Sequence, residues 1–361
     1  MIKTEYLTKS REKEYEDFLV KSSQSSLYYS LKYRDFLKSF IEIEDKFIIA
    51  LVENKIVGAF PAYLKINPKY GNVLNSSCFY GSHGGAVIDE SLPEVIKTKV
   101  KKALLAQFLT LEKEYDCISS TIVSSPFEKD LDFYRENYPF SFNNHRLAQI
   151  LELPPQGKNR DYSETFLQSL PSSSLRRNIR RAKRHPDIKI FPSEDLDQWQ
   201  KFWQIHQENM LSLSAVPKPF SMLLSLKKNF TFGQDYRIYL AELNGEIISG
   251  LLVIYFNKTA EYFMPAVKSE HRKLQTNTLI IFQSMVDAAE RGCQYYNFGG
   301  TSKSQQSLYE FKARWGSKDL NYEYFVKYNR EISYFKKIGR ENIAQTYEYF
   351  FVVPFDLLTN A

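Results

Sequence analysis

Tyr309 and Lys312 stand three residues apart in LYEFKARWGSK, a run that follows YNFGGTSKSQQS. On a helix, residues so spaced share a face. A phenol and an ammonium on one face can protonate a leaving group and hold the negative charge that gathers on a carbonyl oxygen during acyl transfer. The same spacing also suits a core aromatic beside a surface cation, so the residue types leave both readings open. Upstream, Tyr295 to Phe298 reads as a strand that stops at Gly299, Gly300 and Thr301, three residues that could line a cleft. GGTSK resembles a phosphate loop only superficially, because the leading glycine and its spacing are missing.

The densest charge lies in SSSLRRNIRRAKRHPDIKI, residues 172–190. A serine can cap a helix there, Leu175, Ile179 and Ala182 recur at helical spacing, and Pro186 ends the run. Arg176, Arg177, Arg180, Arg181, Lys183 and Arg184 cover the remaining surface. Like charges four residues apart repel by about 0.2–0.5 kcal/mol per pair, a cost most simply explained by an anion facing the helix. Guanidinium groups grip phosphate bidentately, so a nucleotide diphosphate, a tRNA backbone or an acidic lipid headgroup would fit Arg177 and Arg181. A solvated basic face is the alternative.

FYGSHGGAVID, residues 79–89, places Gly81, Gly84 and Gly85 around His83. Glycines permit close backbone approach, so a ligand could lie there with His83 as a polar contact, although a tight connection between strands explains the same residues. The five histidines form no HExxH pair, and GxSxG is absent. Neither metal catalysis nor serine hydrolysis is therefore indicated, and no metal ligand is assigned.

The elements that must position these residues repeat. KFIIALVENKIVGA at 46–59 and RIYLAELNGEIISG at 237–250 are two apolar strands around a polar turn, offset by a constant 191 residues. Glu53-Asn54 and Asn244-Gly245 are the turns of two β-hairpins. Helical patterns precede each hairpin (YEDFLVKSS and LKYRDFLKSF; LDQWQKFWQIHQENM), and a long helix closing into a strand follows each (94–123; 274–298). This order predicts an α+β fold of two related domains, with a linker at about 154–164. The expected boundaries are 1–155 and 156–325, with 326–361 packing back on the first domain.

The 361 residues are 43% hydrophobic and 25% charged, ordinary for a globular chain long enough for two cores. A net charge of +6 falls short of a dedicated nucleic-acid binder, so any anion site must be local. The charged start and the absence of an apolar run of about 18 residues predict a cytoplasmic protein. Cys78, Cys117 and Cys293 are widely spaced and fit reduced thiols.

Taken together, HRLAQILEL (145–153), LRRNIRRAKRH (175–185), NGEIISG, AAERGCQYYNFGGTS (288–302) and LYEFKARWGSK (308–318) resemble the FemABX-like transferases, built from two tandem GNAT-like (acyl-CoA N-acyltransferase) domains with mixed sheets flanked by helices. The resemblance covers most of the chain and is strongest from about 145 to 318. It implies an acyl- or aminoacyltransferase that forms an amide on a cell-envelope precursor, a peptidoglycan or surface-polysaccharide intermediate bearing an amine and a phosphate. The implied donor is aminoacyl-tRNA or acyl-CoA, and peripheral contact with the inner membrane stays open. By the same resemblance Arg177 would contact acceptor phosphate, Phe311-Lys312 would sit at the reaction centre with Lys312 stabilising the oxyanion or leaving oxygen, and Tyr309 would act as general acid. Lys38 and His83 fall to the acceptor cleft.

Two departures matter. The pyrophosphate-cradling [RQ]-x-x-G-x-[GA] of CoA-using relatives reads HRKLQTNTLI here, without glycine, and Asn297 replaces the Asp often found before Phe-Gly-Gly, which removes a carboxylate base at that position. The long coiled-coil pair of one bridge-forming branch is not visible either. A CoA-dependent GNAT N-acetyltransferase and a non-catalytic module binding tRNA, glycan phosphate or anionic lipid are the competing expectations.

Overall fold

The computed structural model describes residues 1–155, 162–302 and 305–358. It divides into two compact units, Met1–Leu147 with Asn321–Ala361, and Ala148–Leu320. Most of the linker expected at 154–164 lies outside the described residues, as does Lys303 of GGTSK, but Tyr162 to Glu164 already belong to a helix.

The first unit begins with β1 (Ile2–Tyr6), α1 (Glu12–Lys21), α2 (Leu31–Lys38) and β2 (Glu44–Asp45). The hairpin β3 (Ile48–Val52) and β4 (Lys55–Phe60) follows, then β5 (Tyr63–Lys65), β6 (Asn72–Asn75), β7 (Val87–Ile88), α3 (Glu94–Glu114), β8 (Cys117–Val123) and α4 (Asp132–Asn137). After β9 (Phe142–Glu152), the second unit runs α5 (Tyr162–Ser169), α6 (Ser173–Lys183), β10 (Ile188–Pro192), α7 (Leu196–Ser212), α8 (Phe220–Asn229), β11 (Tyr236–Leu243), β12 (Glu246–Phe256), β13 (Thr259–Val267), α9 (Thr276–Glu290), β14 (Tyr295–Thr301) and α10 (Gln306–Ala313). β15 (Lys318–Tyr328) returns the chain to the first unit, which ends in α11 (Ile332–Ile338) and α12 (Arg340–Thr346). Helix starts follow local chemistry: Ser30, Ser172 and Asp195 accept the Tyr33, Leu175 and Gln198 amides at the N-termini of α2, α6 and α7.

The duplication extends into the hydrogen-bond register. Both hairpin turns hold two residues at positive φ, Glu53 with Asn54 and Asn244 with Gly245, as a type I′ connection requires. Each hairpin ladder slips at the same place, between Ala50 and Leu51 and between Ala241 and Glu242, again 191 residues apart. β12 pairs Ile254 with Glu261; at the matching position β5 pairs Tyr63 with Asn75. What differs is continuity. Pro61-Ala62 separates β4 from β5 where β12 runs unbroken, and the excursion 76–86 separates β6 from β7 where β13 runs unbroken.

In each unit one strand pair is parallel and ends early. β6 and β8 part after Asn75↔Thr121, and β13 and β14 part after Glu261↔Asn297. Cores fill both units: Leu104, Phe108, Leu111 and Phe133 pack under the first unit's strands, and Ile280, Ile281, Met285 and Trp315 pack in the second. Phe335, Ile338, Ile343 and Tyr347 form a further cluster on Val73 and Ile118 of the first unit. Among the described residues no helix is long and apolar enough to cross a membrane.

Candidate active site

The strand leading to Tyr309 does not stop at the glycines, as its sequence suggests. β14 continues through Gly299 and Gly300 to Thr301, with Gly299 at φ +75°, a left-handed residue inside a strand that glycine adopts without strain. Pairing with β13 ends instead two residues earlier, at Asn297. The fork therefore opens over the glycines, and a Cβ placed on Gly299 would meet nothing within 4 Å.

α10 aims Lys312 into this fork. Its Nζ donates to Gly299 O at 3.1 Å, Gly300 O at 2.9 Å and Thr301 Oγ1 at 2.8 Å, so each of its three N–H groups has an acceptor. The residue is only 3% exposed, and burial pulls its ammonium down to about 8. All three acceptors are neutral, so the charge is held by hydrogen bonds and not cancelled by a carboxylate. Thr301 Oγ1 donates in turn to Gln149 Oε1 at 2.8 Å, and Gln149 Nε2 donates to Tyr309 O at 3.0 Å. Gln149, fully buried in β9, thus ties the Lys312 acceptor to the helix carrying Lys312.

At the last paired position before the fork, Asn297 Nδ2 donates to Glu261 Oε2 at 2.8 Å while Asn297 Oδ1 accepts the Gly299 amide at 2.9 Å. The departure at Asn297 therefore does not leave the fork without a carboxylate, since Glu261 supplies one from the neighbouring strand. Glu261 and Gln149 escaped the sequence reading, although a lone charged or amide residue inside TAEYFMPAV and HRLAQILEL was the available signal.

Tyr309 and Lys312 divide oppositely to the simplest expectation: the lysine is buried and the tyrosine half-exposed. Tyr309 OH donates to Asp319 Oδ2 at 2.9 Å, and that carboxylate raises the phenol's pKa, which works against proton loss. Phe311 is partly buried against the core beside Trp315.

α6 buries Leu175, Ile179 and Ala182 and turns its arginines outward. Arg177, Arg180, Arg181 and Arg184 line a cleft of about 380 Å³. Arg180 pairs with Glu164 at 2.8 Å, and Arg181 reaches Lys273 O at 2.7 Å, just before α9. Arg177 and Arg184 are exposed and have no ion pair among the described residues. Where relatives use glycine ahead of the long helix, Gln275 takes the left-handed conformation at φ +61°, and no side chain caps the first turn of α9. Gln275 thus holds at this position a backbone conformation that glycine adopts readily, and no side chain caps the amides of the first turn.

In the first unit, Lys38 ends α2 and is ion-paired with Asp45, whereas His83 is 1% exposed and enclosed by aromatic rings. The two do not come together in a shared contact. Among the described residues no cluster of three or more His, Cys, Asp or Glu side chains could hold a metal ion.

Residues 172–313, from α6 to the end of α10, match the acetyltransferase (GNAT) domain family. No curated protein matches the chain. Solved structures do: FemX aligns with a TM-score of 0.68 at 14% identity over 89% of this chain and 96% of its own. A tandem GNAT protein from the clavulanic acid biosynthesis pathway aligns at 0.56 and 12% identity over 92% and 99%, and L-PGS from Bacillus licheniformis at 0.51 and 12% over 96% and 98%. At such identities the likeness is one of fold. Residues 172–313 thus match the GNAT domain family, and the chain as a whole shares the tandem-GNAT fold seen in FemX and the tandem GNAT protein.

Proposed function

We propose that this GNAT-type acyltransferase forms an amide bond on a cell-envelope precursor, with the fork of the second unit as the reaction centre. The observation that carries this reading is the buried, uncancelled ammonium of Lys312 at the splayed end of β14. An acyl carbonyl entering the fork would meet that positive field in a poorly solvated setting, where it counts for most. All three N–H groups of Lys312 are occupied, so the developing oxyanion must displace a neutral acceptor, and Thr301 Oγ1 can turn toward Gln149 to release one. Glu261 is the residue suited to take the proton from the attacking amine, and Tyr309 the one to return a proton to the leaving group. Arg177 and Arg181 offer phosphate contacts to donor or acceptor.

A second reading, CoA-dependent N-acetyl transfer, is favoured by the left-handed Gln275 and the uncapped start of α9. A thermal-shift titration with CoA separates the two, because a tight ligand raises the melting temperature. For the main reading, mass spectrometry of envelope precursors from cells lacking the protein should reveal a lost aminoacyl or acyl increment, restored by the wild-type chain and not by Lys312→Met. Unchanged precursors, or full restoration by Lys312→Met, overturn it.

A further inference from the structure

The two copies part company in the connection between their paired helices. α1 ends at Lys21 and α7 at Ser212, and α2 ends at Lys38 and α8 at Asn229, so both helix ends keep the offset of 191 residues. What lies between is not repeated. Residues 22–26 read SSQSS, and Ser22, Ser25 and Ser26 are buried, with a Glu90 carboxylate oxygen accepting the Ser23 amide at 2.7 Å and the Ser22 hydroxyl at 3.2 Å. The matching residues 213–217 read LSAVP. Leu213 is 73% exposed and Val216 60%, and Leu211, in the last turn of α7, is 61% exposed. One copy closes this connection with hydroxyls, so the architecture does not require the apolar side chains that the other holds in water.

The backbone fixes the apolar tip. Leu213 N and Ala215 N both donate to Met210 O, at 3.0 and 2.9 Å, Ser214 N donates to Leu211 O at 3.0 Å, and Ser214 takes a left-handed φ of +52°. Behind the turn Trp203 Nε1 donates to Lys218 O at 2.8 Å, and Asn209 exchanges two bonds of 3.0 Å with the Val267 backbone of β13. Single exposed apolar residues need no explanation, but Leu211, Leu213 and Val216 fall on one short turn. The charge near them in sequence has one sign. From Met210 to Asn229 there is no Asp or Glu, and α8, which buries Met222, Leu223 and Leu226, leaves Leu224, Lys227 and Lys228 exposed.

We infer that the α7–α8 connection docks on an anionic lipid surface, with Leu211, Leu213 and Val216 entering the boundary between headgroups and acyl chains and the lysines of α8 meeting lipid phosphates. A bilayer supplies in order of depth what each part lacks, negative charge for the lysines and an apolar layer for the tip. The inference rests neither on the chemistry of Lys312 nor on the arginines of α6.

The test sediments the full chain with vesicles of phosphatidylcholine alone and of phosphatidylcholine mixed with phosphatidylglycerol. The chain should bind the mixed vesicles, and added salt should weaken that binding. Leu213→Ser combined with Val216→Ser installs the residues that the first copy carries at 22 and 25. This double variant should lower the partition coefficient by about tenfold or more and leave the melting temperature unchanged, because both side chains are already in water. Lys228→Glu should weaken binding to the mixed vesicles alone. Val20→Ser, an exposed position that matches Leu211 in the first copy, should change nothing. The inference is overturned by an absence of binding to mixed vesicles, by equal binding of the double variant and the wild type, by indifference to Lys228→Glu, or by an equal loss in Val20→Ser. It is overturned as well if sedimentation velocity shows self-association that the double variant removes, since the tip would then be an interface between copies. Turnover is not the readout, so failure here leaves the Lys312 reading intact, and failure of that reading leaves this one.

Discussion

Lys312 Nζ donates to Thr301 Oγ1 at 2.8 Å, eleven residues away in sequence, and both side chains are buried. The bond places a cation where the strand pair β13/β14 has come apart, and the arrangement sets the pH behaviour of the domain.

Burial lowers the Lys312 pKa from 10.5 to about 8. Below pH 8 folded and unfolded chains both hold the proton, and the cost of burying the charge is felt in full. Between about pH 8 and 10.5 the folded chain releases it first while the unfolded chain keeps it, so stability rises with pH by an amount on the order of 3 kcal/mol. Melting temperatures followed from pH 7 to 10 should climb in the wild type and climb less in Lys312→Met. Parallel curves would remove Lys312 as the source.

Asn297→Asp should be destabilising at neutral pH. The new carboxylate would sit within hydrogen-bonding reach of Glu261, and two buried like charges cannot both ionise cheaply. One of the pair should titrate well above the usual range, so the loss in melting temperature is expected to shrink as pH falls toward 5. A loss that is constant with pH would point to packing instead. Glu261→Gln, which preserves volume, should cut the rate of transfer by about 10²–10⁴ if Glu261 is the base.

Tyr309→Phe should leave the fold almost unchanged, because it breaks a single solvent-exposed hydrogen bond to Asp319. Its effect should appear in turnover. Asp319→Asn removes the carboxylate that raises the phenol's pKa, so the alkaline limb of the pH–rate profile should move to lower pH. An unmoved limb would detach Tyr309 from the rate-limiting proton transfer.

Arg177→Glu should weaken binding of a phosphate-bearing ligand and flatten its salt dependence. Stability should hold or rise by a few tenths of a kcal/mol, roughly the i,i+4 repulsion relieved on α6. Arg180→Ala is the contrast, because Arg180 is already paired with Glu164 and should matter less for binding. Fluorescence anisotropy across a salt series measures both.

The α+β class, the two hairpins, the long helices and the basic helix were all legible in the sequence, because each is written in a local signal. Apolar runs meet at the polar turns Glu53-Asn54 and Asn244-Gly245, a serine stands ahead of Leu175, and a fixed offset repeats one pattern. The candidate site was only half legible. Lys312 was marked by its spacing from Tyr309, yet nothing in YEFKARW tells that the lysine faces inward and the tyrosine outward. That choice is made by Gly299, Gly300 and Thr301, whose acceptors offset the burial of an ammonium. Glu261 with Asn297 and Gln149 with Thr301 meet across 36 and 152 residues, and such pairs exist only once strand order and register bring them together. The first unit shows the same division: sequence alone presented three glycines around a histidine, and only the ladder register sets Asn75 where the second unit has Glu261. Local pattern determined which elements form; long-range pairing decided which side chains lose water, and with it their charge, their partners and their chemistry.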